Sequence, residues 1–317
     1  MNKTHMSIEL SVIICTFNNS AMLMRCLNAI SAQSMPASLY ELLVVDNNSS
    51  DNTHHVVSEF SKVCPLNIRY VFEPRQGLSI ARNRGIHESH GNIIVFADDD
   101  TVPHRLWLES IHTAFTAITP EPSAVGGRIV PLPERPIPDW FPDRAYSLLA
   151  VLDYGDNGRF LKDNELIYGC NMAFKRSVFD EFGLFDEKLG LQGNIKRWSE
   201  ETQLIRQLKA NDRKVYYSPQ AEVQHTVIAE KLTFKYLIKR NYTQGITDAR
   251  IDFNSDPASF LKTSLLDIFK KINYIVPRLL YRLFKKRTKN TVEIIRLYCY
   301  RLGYQLMSLN IKLFYRK

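Results

Sequence analysis

The first hundred residues restrict the fold most, because short apolar runs alternate there with amphipathic stretches. Leu10 to Cys15 (LSVIIC) reads as a buried strand. Met22, Leu23, Cys26, Leu27 and Ile30 then recur at helical spacing across residues 20–33. Glu41 to Val45 is a second strand that ends at Asp46. Asp51 to Val63 is a second helix, with Asp51 as its N-cap and Val56, Val57 and Phe60 on one face. Ile68 to Phe72, Leu78 to His87 and Asn92 to Ala97 continue as strand, helix and strand. Strand alternating with helix builds βαβ units, so the predicted fold class is α/β with a mostly parallel sheet flanked by helices.

Sheets of that kind bind ligands outside the carboxyl ends of their strands. Functional-looking side chains sit at four such ends: Thr16 and Asn18, Asp46 and Asn47, Glu73 and Arg75, and Asp98 to Asp100.

The 317 residues suit one large α/β domain with a helical appendage, and a 45% hydrophobic content is enough for its core. The five cysteines are scattered, without zinc-site or redox spacing, and read as buried free thiols. The apolar run Val12 to Cys15 is too short for a signal core, and no run reaches the ~18 residues of a membrane span. The expected location is therefore cytoplasmic. Residues 120–142 hold seven of the fourteen prolines, which predicts a long loop without regular structure. It reads either as a crossover or as an acceptor-side lid.

The net charge of +8 belongs to the C-terminus. Residues 262–317 hold fourteen Lys or Arg against two Asp or Glu, whereas the rest of the chain is slightly acidic. Leu265, Phe269, Ile272, Val276, Leu279 and Leu283 recur at helical spacing among basic residues, with Pro277 dividing the run. Asn290 to Lys317 repeats the style with Ile294, Leu297, Tyr298, Leu302 and Leu306. Two readings stand: helices with a solvated basic face, or an anchor on an anionic membrane surface that would make the protein peripheral at the inner face of the cell membrane. Nucleic acid is disfavoured, since no recognition motif is present.

Four constellations carry chemistry. Asp98-Asp99-Asp100 follows the apolar strand, and three adjacent carboxylates repel unless a cation or donors offset them. Mg²⁺ and Mn²⁺ take carboxylate oxygens, and Mg²⁺ adds substrate phosphates. The plainer alternative is a helix cap, with Thr101-Val102-Pro103 opening the helix. Glu200 and Glu201 fall in the first turn of a helix capped by Ser199, where acids complement the dipole or serve as a general base. Tyr168 to Phe174, with Gly169 and Asn171, suggests either close backbone approach to a ligand or a bulge. His225 is a lone histidine, structural or ligating.

Taken together these segments resemble the family 2 glycosyltransferases, which have the GT-A fold. The resemblance runs in order through Ser11 to Asn18, Val44 to Asp51, Gln76 to Asn83, Asp98 to Asp100, Gly169 to Phe174 and Glu200 to Leu204. It covers roughly residues 8–230. It implies a catalytic domain over 1–230 and leaves 231–317, read from its own spacing and charge, as a basic amphipathic helical region. It implies an inverting, metal-dependent transfer from a nucleotide-sugar donor, UDP-linked by family frequency, to a hydroxyl of a glycan or lipid-linked acceptor. Thr16, Phe17 and Asn18 would line the nucleotide pocket, with Asp46 and Asn48 beside base and ribose. Arg75 and Arg82 would approach the uracil or pyrophosphate. Asp98 and Asp100 take the outer places of the Asp-x-Asp motif, contacting ribose and a Mn²⁺ or Mg²⁺ ion. Asp99 is an extra acid on the donor side, and Gly169 and Asn171 would lie beside the donor sugar. Glu201 stands where the family has its aspartate base, with Glu200 its neighbour. His225 falls where several such enzymes place a metal-ligating histidine. A sugar nucleotidyltransferase is the alternative, though Thr16 to Ser20 is not a glycine-rich phosphate loop. A non-catalytic nucleotide-sugar-binding module is the other.

Overall fold

The computed structural model describes residues 8–187, 189–192, 195–197, 200–255, 257, 260 and 288–314. In chain order these form β1 (Leu10–Thr16), α1 (Ser20–Ser31), β2 (Tyr40–Asp46), α2 (Thr53–Val63), β3 (Asn67–Phe72), α3 (Leu78–Glu88) and β4 (Ile93–Asp98). There follow β5 (Thr101–Pro103), α4 (Trp107–Ala117), β6 (Ala124–Pro133), β7 (Arg159–Phe160), β8 (Asn171–Lys175) and α5 (Arg176–Phe182). The chain continues with β9 (Gly190–Gln192), β10 (Ile195–Arg197), α6 (Glu200–Ala210), β11 (Val215–Val227), α7 (Phe234–Ser255) and α8 (Lys289–Phe314).

The main sheet runs β3-β2-β1-β4-β8-β6-β11-β5, with β7 beside β11. The block β3-β2-β1-β4 is parallel, as its βαβ connections demand. β8 joins β4 antiparallel, and β5 joins β11 antiparallel. β1, β2 and β4 are buried on both faces, which explains their unbroken apolar runs. Val12, Ile14, Leu42 and Val44 point into one core with Leu23, Leu27 and Trp107. Ile13, Leu43, Val45, Ile94 and Phe96 point into the other with Phe174, Phe179 and Leu208. Each such fully buried side chain contributes roughly 1.5–3 kcal/mol of transfer free energy, so this layering is stiff where it carries the strand ends.

Three expectations change. The proline-rich stretch contains β6, a ten-residue strand, because Pro131 and Pro133 fall at its far end while Ala124 to Gly126 pair with β8. Thr101 to Pro103 is strand β5, not a helix start; its register sets Thr101 opposite His225. Asp51 stands one residue before the helix cap Asn52, yet it accepts from the Thr53 N–H at 3.0 Å and the Ser20 N–H at 3.0 Å. It thus caps α2 from outside and ties the β1–α1 turn to it. The cysteines are unpaired, Cys26 and Cys170 buried and the other three half-buried.

The chain divides into two compact units, Met1–Leu132 with Ala150–Thr226, and Pro133–Leu149 with Val227–Lys317. The inclusion of 133–149 in the second unit was not foreseen. That unit holds Trp140 packed against Phe141 and Phe234, and an ion pair from Lys289 to Asp143 at 2.6 Å. Its helices α7 and α8 meet at glycines: a Cβ on Gly245 would lie 2.0 Å from the Tyr300 carbonyl oxygen, and one on Gly303 2.1 Å from that of Tyr242. Tyr300 and Tyr304 donate across the pair to Asp248 and Asp252. The expected helix with Pro277 lies outside the described residues. Among the described residues no helix is long and apolar enough to cross a membrane.

Candidate active site

Strand register brings the expected site residues together. Thr16 stands beside Asp46, and Cys15 beside Asp98, so the ends of β1, β2 and β4 form one polar edge. The turns leaving β1 and β2 are stitched to each other. Asn18 and Asn48 both adopt left-handed backbone, which asparagine tolerates. The Asn18 N–H donates to Ser49 Oγ at 2.9 Å, and Asn18 Oδ1 accepts the Ser50 N–H at 2.7 Å. Asp46, 2% exposed, accepts from Tyr70 Oη at 2.7 Å and the Ser49 N–H at 2.8 Å. Phe17, the first residue after β1, is exposed.

The aspartate triplet separates into three environments. Asp99 accepts from Thr16 Oγ1 at 2.6 Å and Asn19 Nδ2 at 2.7 Å, so it clasps the β1 turn. Burial pushes its carboxyl up to about 7, against those two hydrogen bonds and with help from the neighbouring Asp100 and Asp98 charges. Asp98 is half-open and receives Arg82 Nη2 at 3.3 Å. Asp100 Oδ2 lies 3.4 Å from His225 Nε2, and the Thr226 N–H donates to the Asp100 carbonyl at 2.9 Å. His225 is 5% exposed, and its Nδ1 is buried without a hydrogen-bond partner.

Arg82, Gly169 and Asn171 depart from expectation. Arg82 does not face outward toward a nucleotide. It is 2% exposed and donates Nη1 to Glu200 Oε1 at 2.6 Å. Burial opposes its charge, but Glu200 and Asp98 outweigh that and hold it protonated above the ordinary range. The room left by Gly169 is taken by this guanidinium: a Cβ there would lie 2.5 Å from Arg82 Nη2. Asn171 turns into the core, where its Oδ1 accepts from Trp107 Nε1 at 2.9 Å. Its Nδ2 donates to the carbonyls of Ala221 at 2.8 Å and Arg128 at 3.1 Å. Polar groups in a dry core must be paired, and Asn171 pairs all of its own. Arg75 stays largely exposed, in contact with Glu73 at 3.2 Å and Glu187 at 3.3 Å.

The two glutamates of α6 are also separated. Glu200 is 6% exposed and committed to Arg82. Glu201 retains some solvent access. Its carboxyl is pushed up to about 7, first by burial and then by the Glu200 charge, with Arg82 pulling the other way. A carboxyl at that value accepts a proton readily near neutrality. Sequence reasoning missed Asn19, Tyr70 and Trp107. Only the adjacency of Asn19 to the Thr16 motif offered a signal.

The Glycosyl transferase family 2 profile matches residues 11–183. The chain belongs to that family. The transferase is 27% identical over 278 residues to the glucosyl-dolichyl phosphate glucuronosyltransferase of Haloferax volcanii, covering 86% of each chain. Among solved structures it is similar to the mannosyltransferase PcManGT of Pyrobaculum calidifontis in complex with GDP-Man and Mn²⁺, with TM-score 0.61 and 18% identity over 99% of this chain and 89% of that one. It is also similar to S. aureus TarS 1–349, with TM-score 0.54 and 14% identity over 97% and 91%. These likenesses identify the fold as GT-A. The transferase is an enzyme of the glycosyltransferase type, so the nucleotidyltransferase and non-catalytic readings give way. The profile ends at Gly183, short of Glu200, Glu201 and His225.

Proposed function

We propose that this glycosyltransferase transfers a sugar, with inversion, from a nucleoside diphosphate sugar to an acceptor hydroxyl, with Glu201 as the base. The observation that carries the proposal is the division of labour at the first turn of α6. Glu200 is held in an ion pair with Arg82 at 2.6 Å, while Glu201 keeps solvent access and a carboxyl raised to about 7.

A divalent cation fits the acids beside it. Asp100 Oδ2 and His225 Nε2 face each other at 3.4 Å, an oxygen and a nitrogen donor of the kinds that bind a divalent cation. Among the described residues no three His, Cys, Asp or Glu side chains form a metal cage by themselves. A Mg²⁺ or Mn²⁺ ion there would take its remaining oxygens from the donor pyrophosphate. Asp100 and His225 would hold it, with the Asp98 charge at the end of β4 acting on both. Such a cation supplies charge neutralisation for the departing diphosphate. The mannosyltransferase that this chain resembles holds Mn²⁺ with GDP-Man, which supports the assignment.

The chain's own residues do the rest. Glu201 takes the proton from the acceptor hydroxyl as that oxygen bonds to the anomeric carbon. The bond from that carbon to the β-phosphate oxygen breaks, and the nucleoside diphosphate departs from the opposite face. A single displacement inverts the anomeric centre. Asp46, Asn48, Thr16 and Asn18 shape the edge where base and ribose would lie. Phe17 is free to cover the base.

The acceptor is proposed to be a glycan or lipid-linked sugar, supported by the Haloferax relative, whose name specifies glucosyl-dolichyl phosphate. The basic residues of 262–317 and the exposed Ile294, Leu297 and Leu306 of α8 support docking on an anionic membrane surface. Failure of the full-length protein to float with phosphatidylglycerol vesicles at low salt would exclude that docking.

The direct test measures nucleoside diphosphate release from UDP-, GDP- and dTDP-sugars with Mn²⁺, with and without a lipid-linked glycan acceptor. Release that depends on acceptor, and product of inverted configuration, are expected. Retained configuration sinks the displacement.

A further inference from the structure

We infer that Arg82 is the positioning residue of this site, a buried cation that joins the first turn of α6 to the aspartate-bearing end of β4 and so fixes the direction of Glu201. The inference rests on the proposal that Glu201 is the base.

Arg82 reaches two segments distant in sequence. Its Nη1 donates to Glu200 at 2.6 Å, and its Nη2 donates to Asp98 at 3.3 Å. A guanidinium is a planar fork, so two partners fix its plane as well as its position. Its Cζ lies 5.9 Å from the Phe96 ring centre and 5.8 Å from that of Phe185, which flank it as cation–π partners. On another side lies the Gly169 backbone, close enough that a Cβ would collide. The segment carrying Phe185 is itself held to α3, since Asn83 Nδ2 donates to the Phe185 carbonyl at 2.9 Å and Asn83 Oδ1 accepts the Phe185 N–H at 3.0 Å. The guanidinium is thus enclosed by carboxylates, rings and backbone.

The consequence falls on α6. Successive helix residues differ in direction by about 100°. Tying Glu200 inward therefore sets the rotation of the first turn, and with it where Glu201 points. The charged and titratable groups acting with Glu201 are Glu200 on its own helix, Arg82 on α3, Asp98 on β4, and Tyr168 and Cys170 before β8. Glu200 opposes ionisation of Glu201, whereas Arg82 favours it.

The test is the pH profile of kcat/KM, with saturating Mn²⁺, for wild type, Glu200→Gln, Arg82→Met and Arg82→Lys. Glu200→Gln should move the acidic limb to lower pH, and Arg82→Met should move it to higher pH. Arg82→Lys keeps the charge and loses the fork, so kcat should fall about tenfold or more with donor KM changed by less than about threefold. If Arg82→Met does not fold, the limb of Glu200→Gln and the kcat–KM split of Arg82→Lys carry the test. Limbs that stay in place, or move in the same direction, overturn the inference. So does an Arg82→Lys enzyme with raised donor KM and unchanged kcat, which would make Arg82 a donor ligand. An active Glu201→Gln enzyme would instead overturn the base assignment, leaving the two failures distinguishable.

Discussion

Gly169→Ala tests the enclosure of Arg82 without altering a charged group. The added Cβ would lie 2.5 Å from Arg82 Nη2 and 3.1 Å from Cζ and Nη1, whereas ordinary contact begins at 3.4 Å. The guanidinium must therefore retreat by about 0.9 Å. The tip of an exposed arginine would swing aside at small cost. Here the Glu200 bond at 2.6 Å, the Asp98 contact at 3.3 Å and two flanking rings oppose any such shift. Overpacking a core costs about 1–3 kcal/mol, and breaking a buried ion pair outright costs about 3–5 kcal/mol. Since the pair would be stretched and not abolished, destabilisation of about 2–4 kcal/mol is expected. At roughly 2–4 °C per kcal/mol for a domain of this size, the melting midpoint should fall by roughly 5–15 °C. Urea denaturation supplies the free energy, and the transfer rate supplies a second readout. A variant within about 0.5 kcal/mol of wild type, with an unchanged rate, would falsify the reasoning, because Arg82 would then be free to move.

Glu201→Gln should lower kcat by about 10²–10⁴-fold while the fold and donor binding persist, and a near-normal rate would exclude Glu201 as base. Because only the ionised carboxylate accepts a proton, wild-type kcat/KM should rise with pH through about 7 and level off above it; a limb confined to the usual carboxylate range near 4.5 would contradict the raised value. Asp100→Ala and His225→Ala should each remove the Mn²⁺-dependent part of the thermal shift given by a bound donor, and an intact shift would put the cation elsewhere. Asn171→Ala strands the Trp107 N–H and two backbone carbonyls in the core, so a loss of about 1–3 kcal/mol in urea unfolding is expected, and a neutral variant would mean that these groups find other partners.

The N-terminal strands and helices were legible because their cause is local. Leu23, Cys26, Leu27 and Ile30 are buried as their spacing requires, and the two-sided burial of Val12 to Ile14 follows from an unbroken apolar run. The location of a polar edge at the ends of β1, β2 and β4 was legible too, since parallel order places those ends side by side. β5 and β6 were not. β5 is three residues long, and β6 is interrupted in appearance by prolines that fall only at its far end. Neither signal is local, because both strands exist through what they pair with.

The same limit governed the roles of individual acids. The residues by themselves showed three adjacent carboxylates, Asp98 to Asp100, and two more at Glu200 and Glu201; the family resemblance put Asp98 and Asp100 in the outer motif places and favoured Glu201 as the base. Periodicity, strand-end polarity and motif order sufficed to establish the sheet, its binding edge and the residue types present there. Only the tertiary structure turned Asp99 onto Thr16 and Asn19, brought His225 against Asp100, and committed Glu200 to an arginine 118 positions earlier. The physical reason is one of range. Backbone periodicity is set by neighbours within a turn or a strand, whereas the charge and freedom of a buried carboxylate depend on whichever cation, donor or ring folding places beside it.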